Sequence, residues 1–122
     1  MVTYGPIGAD LAYDFVMHIG EDIAKCTRLK SLDLSFVHSV SMEFFDTVLP
    51  ALTSLSLLHL RQCTIKQNMI ERIAQCETLE SLDISGCRYI NDIGVLRKCT
   101  GLTDLSARGL KITDISFVSH LP

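Results

Sequence analysis

A chain of 122 residues, 48% hydrophobic and 20% charged, has the length and composition of one domain around one continuous core. Eleven Lys and Arg against fourteen Asp and Glu leave a formal net charge of −3, which argues against a dominant electrostatic grip on nucleic acid or on an anionic membrane. No apolar run approaches the roughly 20 residues that span a bilayer, and the opening MVTYGPIGAD lacks a basic region followed by an apolar one, so the chain reads as soluble, intracellular and cytoplasmic.

Taken in chain order, residues 1–28 contain no complete repeat unit, but Leu11, Phe15, Ile19, Ile23 and Cys26 fall on one face of a helix starting near Asp10. This segment is expected to be an N-terminal cap helix. The block Cys26–Leu34, CTRLKSLDL, then places Leu29, Leu32 and Leu34 in the alternation of a half-buried strand. Ser41 follows as an N-cap for the helical stretch MEFFDTVL. The strand pattern returns in LTSLSLLHL from Leu52 to Leu60, and QNMIERIAQC then sets Met69, Ile70, Ile73 and Cys76 at helical spacing. It returns again in CETLESLDI, from Cys76 to Ile84, and in CTGLTDLSA, from Cys99 to Ala107. The shorter returns NDIGVLRK and TDISFVSH carry their apolar residues three apart, which suits a 3₁₀ turn or irregular coil, and Gly94 interrupts the first.

The four strand blocks share one frame, with first leucines at Leu29, Leu55, Leu79 and Leu102 and hence periods of 26, 24 and 23 residues. A second apolar pair keeps its place in each unit: Val37 and Val40, Cys63 and Ile65, Cys87 and Ile90, Leu110 and Ile112. The stretch from Leu79 to Cys99 fits L-x-x-L-x-L-x-x-C/N, with Ile84 in the third apolar place, and so resembles the leucine-rich-repeat family. The Cys before each block and the Cys within it resemble the cysteine-containing subclass found in substrate-binding arms of F-box ubiquitin-ligase adaptors, although no F-box is readable in residues 1–28. The tail ITDISFV, Ile112–Val118, resembles the ITDISPL coil of bacterial internalins, with Phe117 in place of Pro.

One such strand cannot bury its inner face alone, whereas stacked coils align their leucines into ladders. The expected architecture is therefore an α/β solenoid: a right-handed arc with a parallel concave sheet of about four strands, short helices or 3₁₀ turns on the convex side, and an N-terminal helical cap. The repeats would occupy residues 29–122. The last return coil runs to the end of the sequence without a polar cap, so the C-terminal end is expected to be open, either continuing into further repeats or self-associating.

Five cysteines raise the alternatives of disulfides, a metal site or core filler. Cys26, Cys76 and Cys99 share one ladder position and Cys63 and Cys87 another, so they are read as small buried hydrophobes whose S–H groups point at backbone carbonyls. The odd count favours reduced thiols. The closest pairs lie eleven to thirteen residues apart, unlike the clustered ligands of a zinc site.

Residues alternating with the inward leucines should form an outward grid. Its first column is Ser31, Leu57, Ser81 and Asp104; its second is Asp33, His59, Asp83 and Ser106; its third is Ser35, Arg61, Ser85 and Arg108. Phe36, Gln62, Gly86 and Gly109 come just beyond. Small Ser and Gly would leave room for a partner's side chains, Arg61, Arg108 and His59 would donate hydrogen bonds, and Leu57 and Phe36 would be apolar anchors. Asp33, His59 and Ser35 or Ser85 contain the ingredients of a hydrolytic triad. A flat, regular sheet, however, supplies neither a strained nucleophile turn nor convergent N–H donors, so no catalytic residue, cofactor or metal is assigned. The expected function is a non-catalytic module that binds another protein on its concave face. The alternatives are a scaffold subunit that uses the solenoid ends, or a substrate-recognition arm of a ubiquitin ligase. No small-molecule substrate, direct nucleic-acid contact or membrane contact is expected.

Overall fold

The computed structural model describes the backbone of residues 2–4 together with residues 25, 27–37 and 40–110. Five strands form one parallel sheet in simple chain order: β1 (Val2–Tyr4), β2 (Leu29–Asp33), β3 (Leu57–His59), β4 (Ser81–Asp83) and β5 (Asp104–Ser106). The four repeat strands stand in the register implied by their sequence blocks, with Leu32 opposite Leu58, Leu58 opposite Leu82 and Leu82 opposite Leu105. Strand β1 is an addition to the expected four. Its three residues are too few to show a period, although Val, Thr and Tyr are all strong strand formers. It pairs along β2, which would otherwise be an open edge. The cap helix expected on Leu11, Phe15, Ile19, Ile23 and Cys26 lies outside the described residues, as does the coil from Ile112 to Leu121.

Strands β2, β3 and β4 each feed a tight turn. Leu34, Leu60 and Ile84 accept a hydrogen bond from the N–H three residues on, at 3.1, 3.2 and 3.2 Å. The third residue of each turn has positive φ: Phe36 (70°), Gln62 (60°) and Gly86 (76°), with Gly109 (75°) in the equivalent place of the last coil. A positive φ at this position is the mark of a type II turn, where glycine is favoured because it has no Cβ to strain. Gly86 and Gly109 are therefore set by the backbone. Sequence reasoning took them as space for a partner.

The sheet ladder continues into these turns. The N–H groups of Phe36, Gln62 and Gly86 each donate to the carbonyl of the next coil, on Arg61, Ser85 and Arg108, all at 2.8 Å. The side of the strands facing the core carries rows of leucine that are almost completely buried, among them Leu32, Leu58 and Leu82. Burial of each such side chain favours folding by about 1.5–3 kcal/mol. The last described coil is less enclosed, with Leu105, Ala107 and Leu110 only half-buried.

The return paths shorten along the chain. In the first, Ser41 Oγ accepts the Phe44 N–H at 3.3 Å, and a π-helical segment, Phe44–Val48, runs into α1 (Leu49–Ala51). Phe44 and Phe45 are buried there with their rings edge to face, centroids 5.2 Å apart. The second return is α2 (Gln67–Ile73), which buries Met69, Ile70 and Ile73. The third is a 3₁₀ helix, Gly94–Lys98, whose buried residue is Leu96. Gln67 clamps the second coil to the third: its carboxamide accepts the N–H groups of Asn91 (3.1 Å) and Asp92 (3.2 Å) and donates to the Asp92 carbonyl (2.6 Å).

Cys63 and Cys87 tie successive turns together. The Cys63 thiol donates to the Leu34 carbonyl at 3.0 Å, and Cys87 to the Leu60 carbonyl at 3.1 Å, each reaching back one coil. Cys99 points at the end of α2, 3.5 Å from the Ala74 carbonyl. Burial pushes the Cys63 thiol up to about 12, with neighbouring Cys87 adding to the effect, and pushes Cys87 and Cys99 up to about 11. Cys76 is half-buried and its thiol is also raised by burial; Cys26 lies outside the described residues.

Candidate functional site

The outward grid assembles as the strand register requires. Ser31, Leu57, Ser81 and Asp104 stand side by side, as do Asp33, His59, Asp83 and Ser106. Arg61, Asp104 and Arg108 are exposed, while Asp33, Leu57, His59, Ser81, Asp83 and Ser106 are half-buried. Ser31, Ser35 and Ser85, expected among the outward contact residues, are buried. The reason is local for two of them. The Ser35 hydroxyl accepts the Arg61 N–H and the Ser85 hydroxyl accepts the Arg108 N–H, both at 3.2 Å, so these serines fasten one turn to the next.

The carboxylates of the middle column serve the same turns. Asp33 Oδ1 accepts the Ser35 N–H and Asp83 Oδ1 the Ser85 N–H, both at 2.9 Å. The other oxygen of Asp83 lies 3.5 Å from Arg61 Nε. His59 stands between the two aspartates in the register, but neither is hydrogen-bonded to it. Ser85 Oγ lies 2.9 Å from Ser106 Oγ. Of the residues that resembled a hydrolytic triad, Asp33, Ser35 and Ser85 are thus engaged in holding turns, and among the described residues no nucleophile–base contact links them to His59. Among the described residues no group of three His, Cys, Asp or Glu converges as metal ligands, and no helix is long and apolar enough to cross a membrane.

Two exposed features escaped the sequence reading. Tyr89 is 63% exposed, next to Arg88 in the loop after the β4 turn. Its alternation with buried Cys87 and Ile90 looks like a core position until the turn geometry is known. A groove of about 330 Å³ also opens between the first two helical returns, lined by Leu49, Pro50, Arg72, Cys76 and Thr78 among others. Two of its polar side chains are engaged: Arg72 Nε pairs with Asp46 at 2.8 Å and the Thr78 hydroxyl donates to the Leu55 carbonyl at 2.5 Å. Phe36, expected as an anchor, is 54% exposed at the positive-φ position of the first turn.

Comparison with known proteins agrees with this architecture. The family model described as "Leucine Rich repeat" matches residues 75–97. Two solved internalins from Listeria monocytogenes are similar in structure. The internalin inlF superposes with a TM-score of 0.66 at 28% identity over 80% of this chain. Internalin C2 superposes with a TM-score of 0.69 at 23% identity over 83% of the chain. The matched region spans 27% and 42% of those two proteins, respectively. No curated protein matches the chain in sequence. With consecutive parallel strands, inward leucine rows and short convex returns in the same frame, the chain is a leucine-rich-repeat solenoid.

Proposed function

We propose that the chain is a non-catalytic module that binds a partner protein on its concave face. Leucine-rich-repeat folds typically serve as protein-interaction modules. One observation carries the choice of face. Half-buried Leu57 is the apolar residue of the first two grid columns, with exposed Asp104 two strands along its row and exposed Arg61 and Arg108 in the third column, while the grid's serines and carboxylates are largely committed to holding turns. An apolar residue on a face that also carries exposed charges suits a protein-binding patch.

The test compares proteins that co-purify with a tagged wild-type chain and with an Arg61→Glu/Arg108→Glu variant of unchanged melting temperature. Loss of one partner from the variant supports the concave reading. Retention of every partner favours a second reading, assembly through the C-terminal end of the solenoid, where Leu105, Ala107 and Leu110 are less buried than their counterparts in earlier coils. A role as a ubiquitin-ligase recognition arm rests on the cysteine ladder, and would require ligase core subunits among the co-purifying proteins.

A further inference from the structure

The turns after the strands, which include the third column of the grid, share a chemical bias that its first two columns lack. The described segments 34–37, 40–41, 60–66, 84–90 and 107–110 carry Arg61, Lys66, Arg88 and Arg108, all exposed, and not one Asp or Glu. Every acidic residue in the described chain lies in a strand, in a return or before a strand. The two exposed large hydrophobic residues of the described chain, Phe36 and Tyr89, lie on the same rim.

The residues are brought together by the fold. Lys66 and Tyr89 are bridged as parallel neighbours, and Arg88 adjoins Tyr89. Arg61 and Arg108 occupy one column with buried Ser85 between them, hence about 10 Å apart at two strand spacings. Between these groups runs the row of positive-φ turn residues, Phe36, Gln62, Gly86 and Gly109. Lys66, Arg88 and Arg108 form no ion pair among the described residues; Arg61 alone is paired, at 3.5 Å, with Asp83. Phe36 adds an independent sign. A half-exposed phenyl ring is kept at a strained position that glycine fills in two other coils, and such retained strain is characteristic of binding sites.

We propose that this rim docks an acidic segment of the partner protein, its carboxylates on Lys66, Arg88 and Arg108 and its apolar residues on Phe36 and Tyr89. The inference rests on the reading of the chain as a protein-binding module and extends the contact from the third column of the grid onto the turn rim. A protein segment suits the rim better than nucleic acid does. The net charge is −3, and the carboxylates of Asp33 and Asp83 lie one column away, where they would repel a continuous phosphate backbone.

The test is a titration of the intact chain with a short peptide of alternating Glu and Leu, read by amide chemical-shift mapping. A Lys-and-Leu peptide and oligothymidylate serve as comparison probes. The expected shifts lie at Phe36, Gln62 and Gly86–Tyr89, weaken with added salt, and require about tenfold more peptide in a Lys66→Glu/Arg88→Glu variant. Phe36→Gly, which relieves the strained turn and so preserves the fold, weakens binding as well. Arg97→Ser, on the 3₁₀ helix away from the rim, leaves it unchanged. Equal or tighter binding of the Lys-and-Leu peptide or of oligothymidylate, or no shifts on the rim, overturns the proposal. If the natural partner is lost from Leu57→Ser but held by the rim variant, the protein-binding reading survives and the rim inference fails. If both variants hold it, both readings fail.

Discussion

Gly86 and Gly109 give a matched pair for testing the turn geometry. Both have φ near +75°, but an added Cβ meets different surroundings. At Gly109 its nearest neighbours are backbone atoms of Gly86 at 3.9 Å, an ordinary contact. At Gly86 it would lie 2.5 Å from Gln62 Nε2, 2.6 Å from Cδ and 2.8 Å from Oε1. Gly109→Ala therefore isolates the backbone term, about 1–2 kcal/mol for an L-residue held left-handed. Some 0.4–1 kcal/mol is offset by the stiffer unfolded chain, leaving a net loss of about 1 kcal/mol. Gly86→Ala carries the same term plus the cost of turning the exposed Gln62 side chain aside, about 0.5–1.5 kcal/mol if it leaves its preferred rotamer. Urea denaturation followed by circular dichroism should rank Gly86→Ala below Gly109→Ala, and both below Gly101→Ala, whose Cβ would lie 3.6 Å from the Leu79 carbonyl at an ordinary φ. The extra loss at Gly86 should disappear in a Gln62→Ala background. Equal stabilities for Gly109→Ala and Gly101→Ala would refute the left-handed turn, and an increment that persists without Gln62 would refute the steric account.

Other outcomes follow from the core and the thiols. Leu82, 1% exposed between Leu58 and Leu105, tolerates no charge, so Leu82→Asp should not fold; an unchanged melting curve would put the register in error. Leu82→Ala should cost about 3–5 kcal/mol and Leu105→Ala clearly less, because the latter side chain is half-exposed, and equal losses in chemical denaturation would contradict the graded burial. Burial holds Cys63 at about 12 and Cys87 at about 11, against 9.0 for a free thiol, so the folded chain keeps protons that the unfolded chain releases. Their contribution is complete below pH 9.0 and is lost as pH rises through the folded values. The alkaline fall in urea midpoint should be shallower in Cys63→Ala/Cys87→Ala than in the wild type, and parallel profiles would contradict this linkage.

The solenoid was legible because its signal is periodic. Leu29, Leu55, Leu79 and Leu102 recur in frame, and the observed register places the strand residues between them side by side as that frame requires. The 3₁₀ return at Gly94–Lys98 and the Ser41 cap were also readable, since each depends on a few adjacent residues. Strand β1 was not, because three residues carry no period and its partner lies 27 residues away in sequence. The candidate site was read in part. Alternation alone sends Ser35 and Ser85 outward, but it does not show that a short hydroxyl there is covered and spent on the next turn's N–H. The sequence displayed Gly86 and Gly109 without the reason for them, which appears only when Phe36 and Gln62 are seen at the same positive φ. That shared conformation turns two glycines and two larger residues into one structural row and exposes the rim beside it.

The central claim, that a partner protein is held along the concave face and its rim, is tested most directly by photo-crosslinking. A photoreactive amino acid is placed singly at His59 on the sheet, at Arg88 on the rim and at Arg97 on the convex 3₁₀ helix, and each tagged chain is irradiated with its co-purified partner bound. Crosslinks from positions 59 and 88 and none from 97 are the predicted result. Crosslinks from position 97 alone would place the partner on the opposite side of the solenoid and contradict the account.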